Sequence, residues 1–385
     1  MTHHYLKMHY DAVIVGARCA GAATALLLAR QGARVLIVDR EAELGDTLST
    51  HALMRPAVSL LDQWGLLGEI VSADTPAVEN TQFHYGTERV DIPVKPFGNA
   101  RGLYAPRRWL LDRVLRDAAV EAGAELHTRV RFVSSVKAAG GHVVGAVLRG
   151  ADGRLQTVSS RMLIGADGRN SAVAVDVGSF VSAQATNSVA TVYTYVSGLP
   201  NNGYRWYYGE GTAAAFIPTT NGQHCFGASC APGAYANWFR EDTFAGALNV
   251  LMPWEPEIVE QLKRQGPDEK MRRYLGARSH IRDCSGPGWA LVGDAGFYKD
   301  PATAHGITDA FLDAQRLANA ISRYGQADAY QADRDQFAPA LFKTTNEIAS
   351  LDWDYEALKS LHMDLTRSFK AEQHMLSAET DALAA

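Results

Sequence analysis

Residues 11–39 constrain the fold of this chain more than any other stretch. Asp11-Ala12-Val13-Ile14-Val15 is an apolar run of strand length, Gly16-Ala17-Arg18-Cys19-Ala20-Gly21 is a turn, and Ala22 to Arg30 reads as a helix. Arg34-Val35-Leu36-Ile37-Val38 is a second apolar run, ending at Asp39. Two strands joined by a helix in so few residues lie parallel, with the helix packed on the sheet between them. Gly16 permits the tight turn and Gly21 the close approach of helix to strand. The helix start presents unpaired N–H groups and the positive end of its dipole, a seat for a pyrophosphate, and Asp39 is placed to accept from an adenosine ribose. The middle glycine of such turns is Arg18 here, whose guanidinium is suited to pair with phosphate. The unit predicts dinucleotide binding by Gly16, Arg18, Cys19, Ala20, Gly21, Asp39 and Arg40.

A second polar loop lies far along the chain. Trp289-Ala290-Leu291-Val292 runs into Gly293-Asp294-Ala295-Gly296-Phe297-Tyr298-Lys299-Asp300-Pro301, then Ala304-His305-Gly306-Ile307, and Asp309 to Ala314 reads as the following helix. Strand, loop and helix start again form an anion-holding site, suited to the N1/C2=O edge of a reduced flavin. Between the two, Met162-Leu163-Ile164 leads into Gly165-Ala166-Asp167-Gly168-Arg169, another strand running into a glycine-and-acid turn.

Composition narrows the function classes. The 385 residues, 47% hydrophobic, suffice for one large or two moderate cores. A net charge of −5 without a basic stripe argues against nucleic acid as a partner. No apolar stretch reaches membrane-spanning length and the start lacks a signal-peptide core, so a cytoplasmic protein with no membrane span is expected. Cys19, Cys225, Cys230 and Cys284 form neither a metal pattern nor a disulfide framework, so no metal is expected and the thiols are expected to be reduced.

The three motifs, in this order, resemble the class A flavoprotein monooxygenases, the group typified by aromatic hydroxylases, with flavin-dependent halogenases and geranylgeranyl reductases as relatives. The resemblance covers most of residues 10–330. A closer likeness, to bacterial FAD-dependent oxidoreductases, is carried by Gly-Ala-Arg-Cys-Ala-Gly, Asp46-Thr47-Leu48-Ser49-Thr50-His51 and Lys299-Asp300-Pro301. With the strand-like stretch at 81–92, the mostly β region from Phe180 to Cys230 and helices from His305 onward, the expected fold is α/β. It comprises a Rossmann-like FAD-binding domain (1–75, 98–178 and 276–325), an inserted β-sheet substrate domain (76–97 and 179–275) and a helical C-terminal segment (326–385).

The resemblance implies FAD as cofactor and NAD(P)H as transient reductant, with a separate flavin reductase as another source of electrons. It implies that Asp167 supports both nucleotides, that Asp294 accepts from a ribityl hydroxyl, and that Pro301 packs beside the isoalloxazine. Ser49, Thr50, Arg108, Gly293, His305, Gly306 and Ile307 complete the expected cofactor contacts. The implied chemistry is hydride transfer to FAD, O2 addition to give a C4a-hydroperoxide, and oxygen transfer to a small aromatic or otherwise electron-rich substrate. An FAD-dependent reductase or dehydrogenase of the geranylgeranyl-reductase kind is the runner-up. Halogenation is disfavoured, because the chain has no Trp-x-Trp and no lysine between Lys7 and Lys95.

His51, Lys299 and Pro301 are the candidate catalytic residues. His51 acts near the flavin or is a hydrogen-bonded structural residue. Lys299 steers an oxygen intermediate or pairs with its neighbour Asp300. Cys19 reads as a packing residue, His305 as part of a first helical turn, and Arg108 as a phosphate anchor or a helix start. Tyr204, Trp206 and Tyr208 alternate along one strand, so their shared face lines a pocket for a planar substrate or belongs to an aromatic core. Phe216 and Pro218 carry the same two readings.

Overall fold

The computed structural model describes the backbone of residues 5–43 and 45–384 and the side chains of residues 9–43 and 45–375. Strand β1 (Tyr5–Val15), helix α1 (Cys19–Arg30) and strand β2 (Val35–Asp39) form the predicted parallel unit, in register from Ala12 opposite Val35 to Val15 opposite Val38. All of β2 is buried, as a strand covered on both faces requires. Helix α1 is small and apolar nearly all round because it is packed between the sheet and two further helices, Arg108–Glu121 and Gly306–Tyr324.

The strands Trp289–Leu291, Leu155–Gly165, β1, β2 and Glu125–Thr128 lie side by side in that order, all parallel. A hairpin, Arg131–Lys137 with Val143–Arg149, leans antiparallel on Leu155–Gly165. Leu291, Gly165, Val15 and Asp39 therefore end on one edge. The connections run to opposite sides of β1 at that edge, the place where open α/β sheets bind ligands.

A second, seven-stranded sheet runs Arg272–Tyr274, Ala190–Val196, His224–Cys230, Thr212–Pro218, Tyr204–Gly209, Asn80–Tyr85, Glu88–Pro93. The excursion at 80–93 joins it through parallel pairing of Asn80–Tyr85 with Tyr204–Gly209. Val181–Gln184 does not enter this sheet. It pairs with His280–Arg282, which pairs with Phe297–Tyr298 just inside the Gly293 loop. One face of the large sheet is covered by Thr243–Leu251 and Pro256–Gln265 over a core containing Tyr207, Phe216 and Phe226. The other face looks toward the Gly293 loop.

Two C-terminal helices, Asp328–Ile348 and Tyr355–Ala384, run back across both sheets. His362 accepts or donates at the Tyr85 hydroxyl, 2.7 Å away, and Phe369 stacks on His305 at 4.0 Å. Among the described residues, no helix is long and apolar enough to cross a membrane.

Candidate functional site

At the carboxyl edge of the parallel sheet, three glycine turns meet as backbone. Gly16 has φ +105°, and a Cβ there would lie 2.4 Å from the Ala166 carbonyl oxygen; a Cβ on Gly21 would lie 1.8 Å from the Gly16 carbonyl oxygen. Gly293, at φ +59°, lies so close to α1 that its Cβ would be 3.0 Å from that of Ala20. Its N–H donates to Asp313 at 2.9 Å. These contacts leave a surface of bare backbone over the N-terminus of α1, the fit that a pyrophosphate and its sugar chain require.

Polar side chains brace this surface. Asp39 accepts from the amides of Ala17 and Glu41, both at 2.8 Å, which ties the first turn to β2 and leaves lone pairs for hydroxyl donors. Arg40 is exposed and pairs with Glu41 at 3.3 Å. Asp112, fully buried, is the hub beneath α1. It accepts from Arg18 at 2.8 Å, from the Cys19 amide at 3.2 Å and thiol at 3.0 Å, and from Arg108 at 3.0 Å. Burial raises the Cys19 thiol well above its ordinary pKa, so Cys19 is a thiol donor within the packing. The sequence reading missed Asp112; its signal was the i,i+4 spacing from Arg108. Asp167 is taken up locally, accepting from Ser171 at 2.5 Å and from the Ala172 amide at 2.7 Å. With Ser171, whose hydroxyl accepts from the Ala174 amide at 2.9 Å, it satisfies the first amides of Ala172–Val177.

The Gly293 loop corrects one expectation. Lys299 does not pair with Asp300 but with Asp309, Nζ to Oδ2 3.0 Å, and both are buried. Neighbours along an extended backbone point to opposite sides. Asp300 turns the other way, accepting from the Val189 and Ala302 amides at 3.1 and 3.0 Å and fixing the Pro301–Thr303 turn. Burial pushes its carboxyl up to about 7. Asp294 is raised to about 6 by burial and by Asp309, against the pull of Arg108, Arg169 and Lys299. For Asp309, burial is outweighed by Lys299 and His305, which hold it down at about 2. The His305 ring faces inward, its Nδ1–H donating to Asp309 at 2.9 Å, with Phe369 stacked on its face. Its imidazole thus serves the C-terminal packing, while its backbone, with Gly306 and Ile307, starts the helix.

His51 is wholly buried at φ +64°, with Nε2 2.5 Å from the Tyr195 hydroxyl. Burial lowers its pKa to about 3, so the ring is neutral. Arg107 lies 3.5 Å from the centre of the Tyr195 ring and pairs with Asp46 and, at 2.8 Å, Glu269. The sequence reading missed this network, whose members are adjacent only in the fold. Ser49 accepts from the His51 amide at 3.0 Å, and Thr50 faces a crevice.

That crevice lies between the seven-stranded sheet and Pro301–Ala302. Trp206, Tyr208 and Tyr193 line it, with Thr191 and Ser229 as polar members. Three expected pocket residues lie elsewhere. Tyr204 shares the face of Trp206 but sits one pair too early, and its hydroxyl donates to the Tyr104 carbonyl at 2.8 Å inside the first core. Phe216 is on the opposite face from Ala215 and Ile217, stacked on Phe226 at 4.8 Å beneath the helices. Pro218 shares the parity of Phe216 and ends its strand opposite His224.

Comparison with known proteins agrees with this architecture. The FAD binding domain family matches residues 9–345. Digeranylgeranylglycerophospholipid reductase 2 of Methanopyrus kandleri is 25% identical over 402 residues, covering 98% of this chain and 90% of the relative. Protein FixC of Salmonella typhi is 33% identical over 176 residues, 44% of this chain and 39% of its own length. PqsL of P. aeruginosa in complex with 2-aminobenzoylacetate superposes with a TM-score of 0.79 at 20% identity, over 92% of this chain and all of that one (100%). The flavin-dependent brominase Bmp2 gives 0.71 at 18%, over 97% and 92%. At such identities the two structures share the fold. The matched family spans the glycine turns, both sheets and the Gly293 loop, and the chain belongs to the FAD-binding domain family of FAD-dependent oxidoreductases.

Proposed function

We propose that this enzyme is a monooxygenase that draws electrons from NAD(P)H and uses O2 to oxygenate a small, flat, electron-rich substrate held in the crevice over Pro301. The crevice carries this reading: it is aromatic, bears no charged lining side chain among the described residues, and adjoins the loop that the family uses for its flavin. Bound FAD supplies hydride acceptance and oxygen activation. The chain's own part is holding and shielding. Gly16, Gly21 and Gly293 provide the backbone seat, with Asp39 and Asp294 as acceptors for hydroxyl groups and Arg18 and Arg108 as positive charge near phosphate. Asp300 fixes the Pro301–Ala302 floor, Trp206 and Tyr193 offer ring faces to a substrate, and the apolar walls exclude water. Lys299, buried and paired with Asp309, lies near enough to Asp294 to favour its carboxylate form. Neutral His51 orients Tyr195 rather than exchanging a proton near neutral pH.

A second reading is FAD-dependent reduction or dehydrogenation, favoured by the match to archaeal reductases over 98% of the chain. Holoenzyme supplied with NAD(P)H, 18O2 and a mixture of phenols, aromatic amines and isoprenoid alkenes separates the two. Monooxygenation predicts one labelled oxygen atom in the product by mass spectrometry and no product without O2. Unlabelled, hydrogenated product formed under anaerobic conditions would sink it.

A further inference from the structure

The crevice leaves about 80 Å³ free, whereas an apolar cavity of about 150 Å³ takes up benzene. A substrate ring therefore enters only where a wall yields. The sheet wall does not: Thr191, Ser229, Ala213 and Ala215 lie on strands paired on both sides, and the last two are already small. The Pro301–Ala302 floor is pinned through Asp300 to the Val189 and Ala302 amides. The rest of the lining comes from the smaller Thr50 and Val189, from Ile348, at the end of one C-terminal helix, and from Leu351, in the short junction before the next. Leu351 is buried and held at φ +54°, a conformation side-chain-bearing residues seldom adopt, in a stretch with no helix or strand. Leu351 is the largest side chain of the lining that lies outside helices and strands.

We infer that Leu351 determines, from outside both sheets, how large a substrate the crevice admits, and that the admitted substrate is uncharged. The polar group of such a substrate meets the hydroxyl pair of Thr191 and Ser229, whose oxygens lie 2.8 Å apart. A carboxylate or phosphate finds no cation on the crevice lining among the described residues, so burying one there is disfavoured. The inference rests on the crevice being the substrate site, as proposed above, but not on which reaction follows.

The test is binding to the FAD-loaded enzyme without reductant, followed by titration calorimetry with phenol, 2-naphthol, 2-anthrol, benzoate and geranylgeraniol. Leu351→Gly removes the side chain at a positive φ that glycine adopts freely, so it spares the turn; Ile348→Ala probes the same wall from the helix end. The wild type is expected to bind phenol and 2-naphthol, and neither benzoate nor geranylgeraniol. Leu351→Gly is expected to bind 2-anthrol at least tenfold more tightly than the wild type and phenol more weakly, with Ile348→Ala shifting in the same direction. An unchanged size ranking in both variants, benzoate binding above phenol, or tight binding of geranylgeraniol by the wild type overturns the inference. No turnover is involved, so a failed oxygenation assay leaves this result standing, and a failed size shift leaves the oxygenation assay standing.

Discussion

The edge proposed for the cofactor and the crevice proposed for the substrate are built from different material. At the edge, Gly16 approaches the Ala166 carbonyl, Gly21 the Gly16 carbonyl, and Gly293 the β-carbons of Ala20 and Ala310, so the tolerances are set by backbone and by the shortest of side chains. In the crevice the same chain presents alternate side chains of strands, Trp206 and Tyr208 on one, Thr191 and Tyr193 on another. A backbone surface admits one residue type at each close approach, whereas a side-chain surface admits many. The first can persist while substrates change; the second is where they change.

The comparison is broken most severely at Gly21. Gly21→Ala places a methyl group against the Gly16 carbonyl with no flexible partner to yield, so folded, flavin-retaining protein is expected to be lost, with destabilisation above about 4 kcal/mol. Soluble yellow protein with unchanged melting would show that the edge is less rigid than its contacts indicate. The crevice is sharpened by a pair of changes on opposite faces of one sheet. Phe216→Ala is expected to destabilise by about 3–5 kcal/mol while sparing ligand affinity in the folded remainder. Trp206→Ala, half-buried at the crevice, is expected to lower affinity at least tenfold for a smaller stability loss, measured by denaturant unfolding and calorimetry. Equal effects on affinity would abolish the distinction between the faces.

A smaller, pH-dependent effect tests the edge again. Burial raises the Asp313 carboxyl to about 7 from its unfolded value near 3.8. The native state then binds a proton that the unfolded chain releases between those values, so this stability is fully present below about pH 4 and is lost as pH rises through 7. Asp294 at about 6 and Asp300 at about 7 act in the same direction. Asp313→Asn keeps an acceptor for the Gly293 amide and removes one such group. The slope of unfolding free energy between pH 5 and 6.5 should become shallower by about 1.4 kcal/mol per pH unit. An unaltered slope would mean that Asp313 titrates alike in both states.

The edge was legible in the sequence because its glycines, apolar runs and terminal acid fall in short strand–turn units that can each be read locally. The β-rich region and the helical end were legible from periodicity. What escaped were groups defined by distance across the chain. Asp112 reaches α1 from a helix 93 residues beyond Cys19, and Lys299 looks paired to Asp300 until the backbone turns it toward Asp309. Along the Tyr204–Gly209 strand the alternation was read correctly, yet which residue of the face sits over Pro301 depends on where the strand begins relative to the loop. Phe216 failed for a simpler reason: period two places it away from its crevice-lining neighbours.

By itself, then, the sequence determined the parallel βαβ unit, the three glycine turns and, through them, the flavin class of the enzyme, because backbone contacts closer than a methyl group dictate residue identity locally. Only the tertiary structure decided which charges neutralise one another beneath α1 and the Gly293 loop, which face of the second sheet is open, and that Ile348 and Leu351 close the crevice. Those outcomes depend on how separate segments pack against one another, and sequence spacing alone does not record which of the available contacts form.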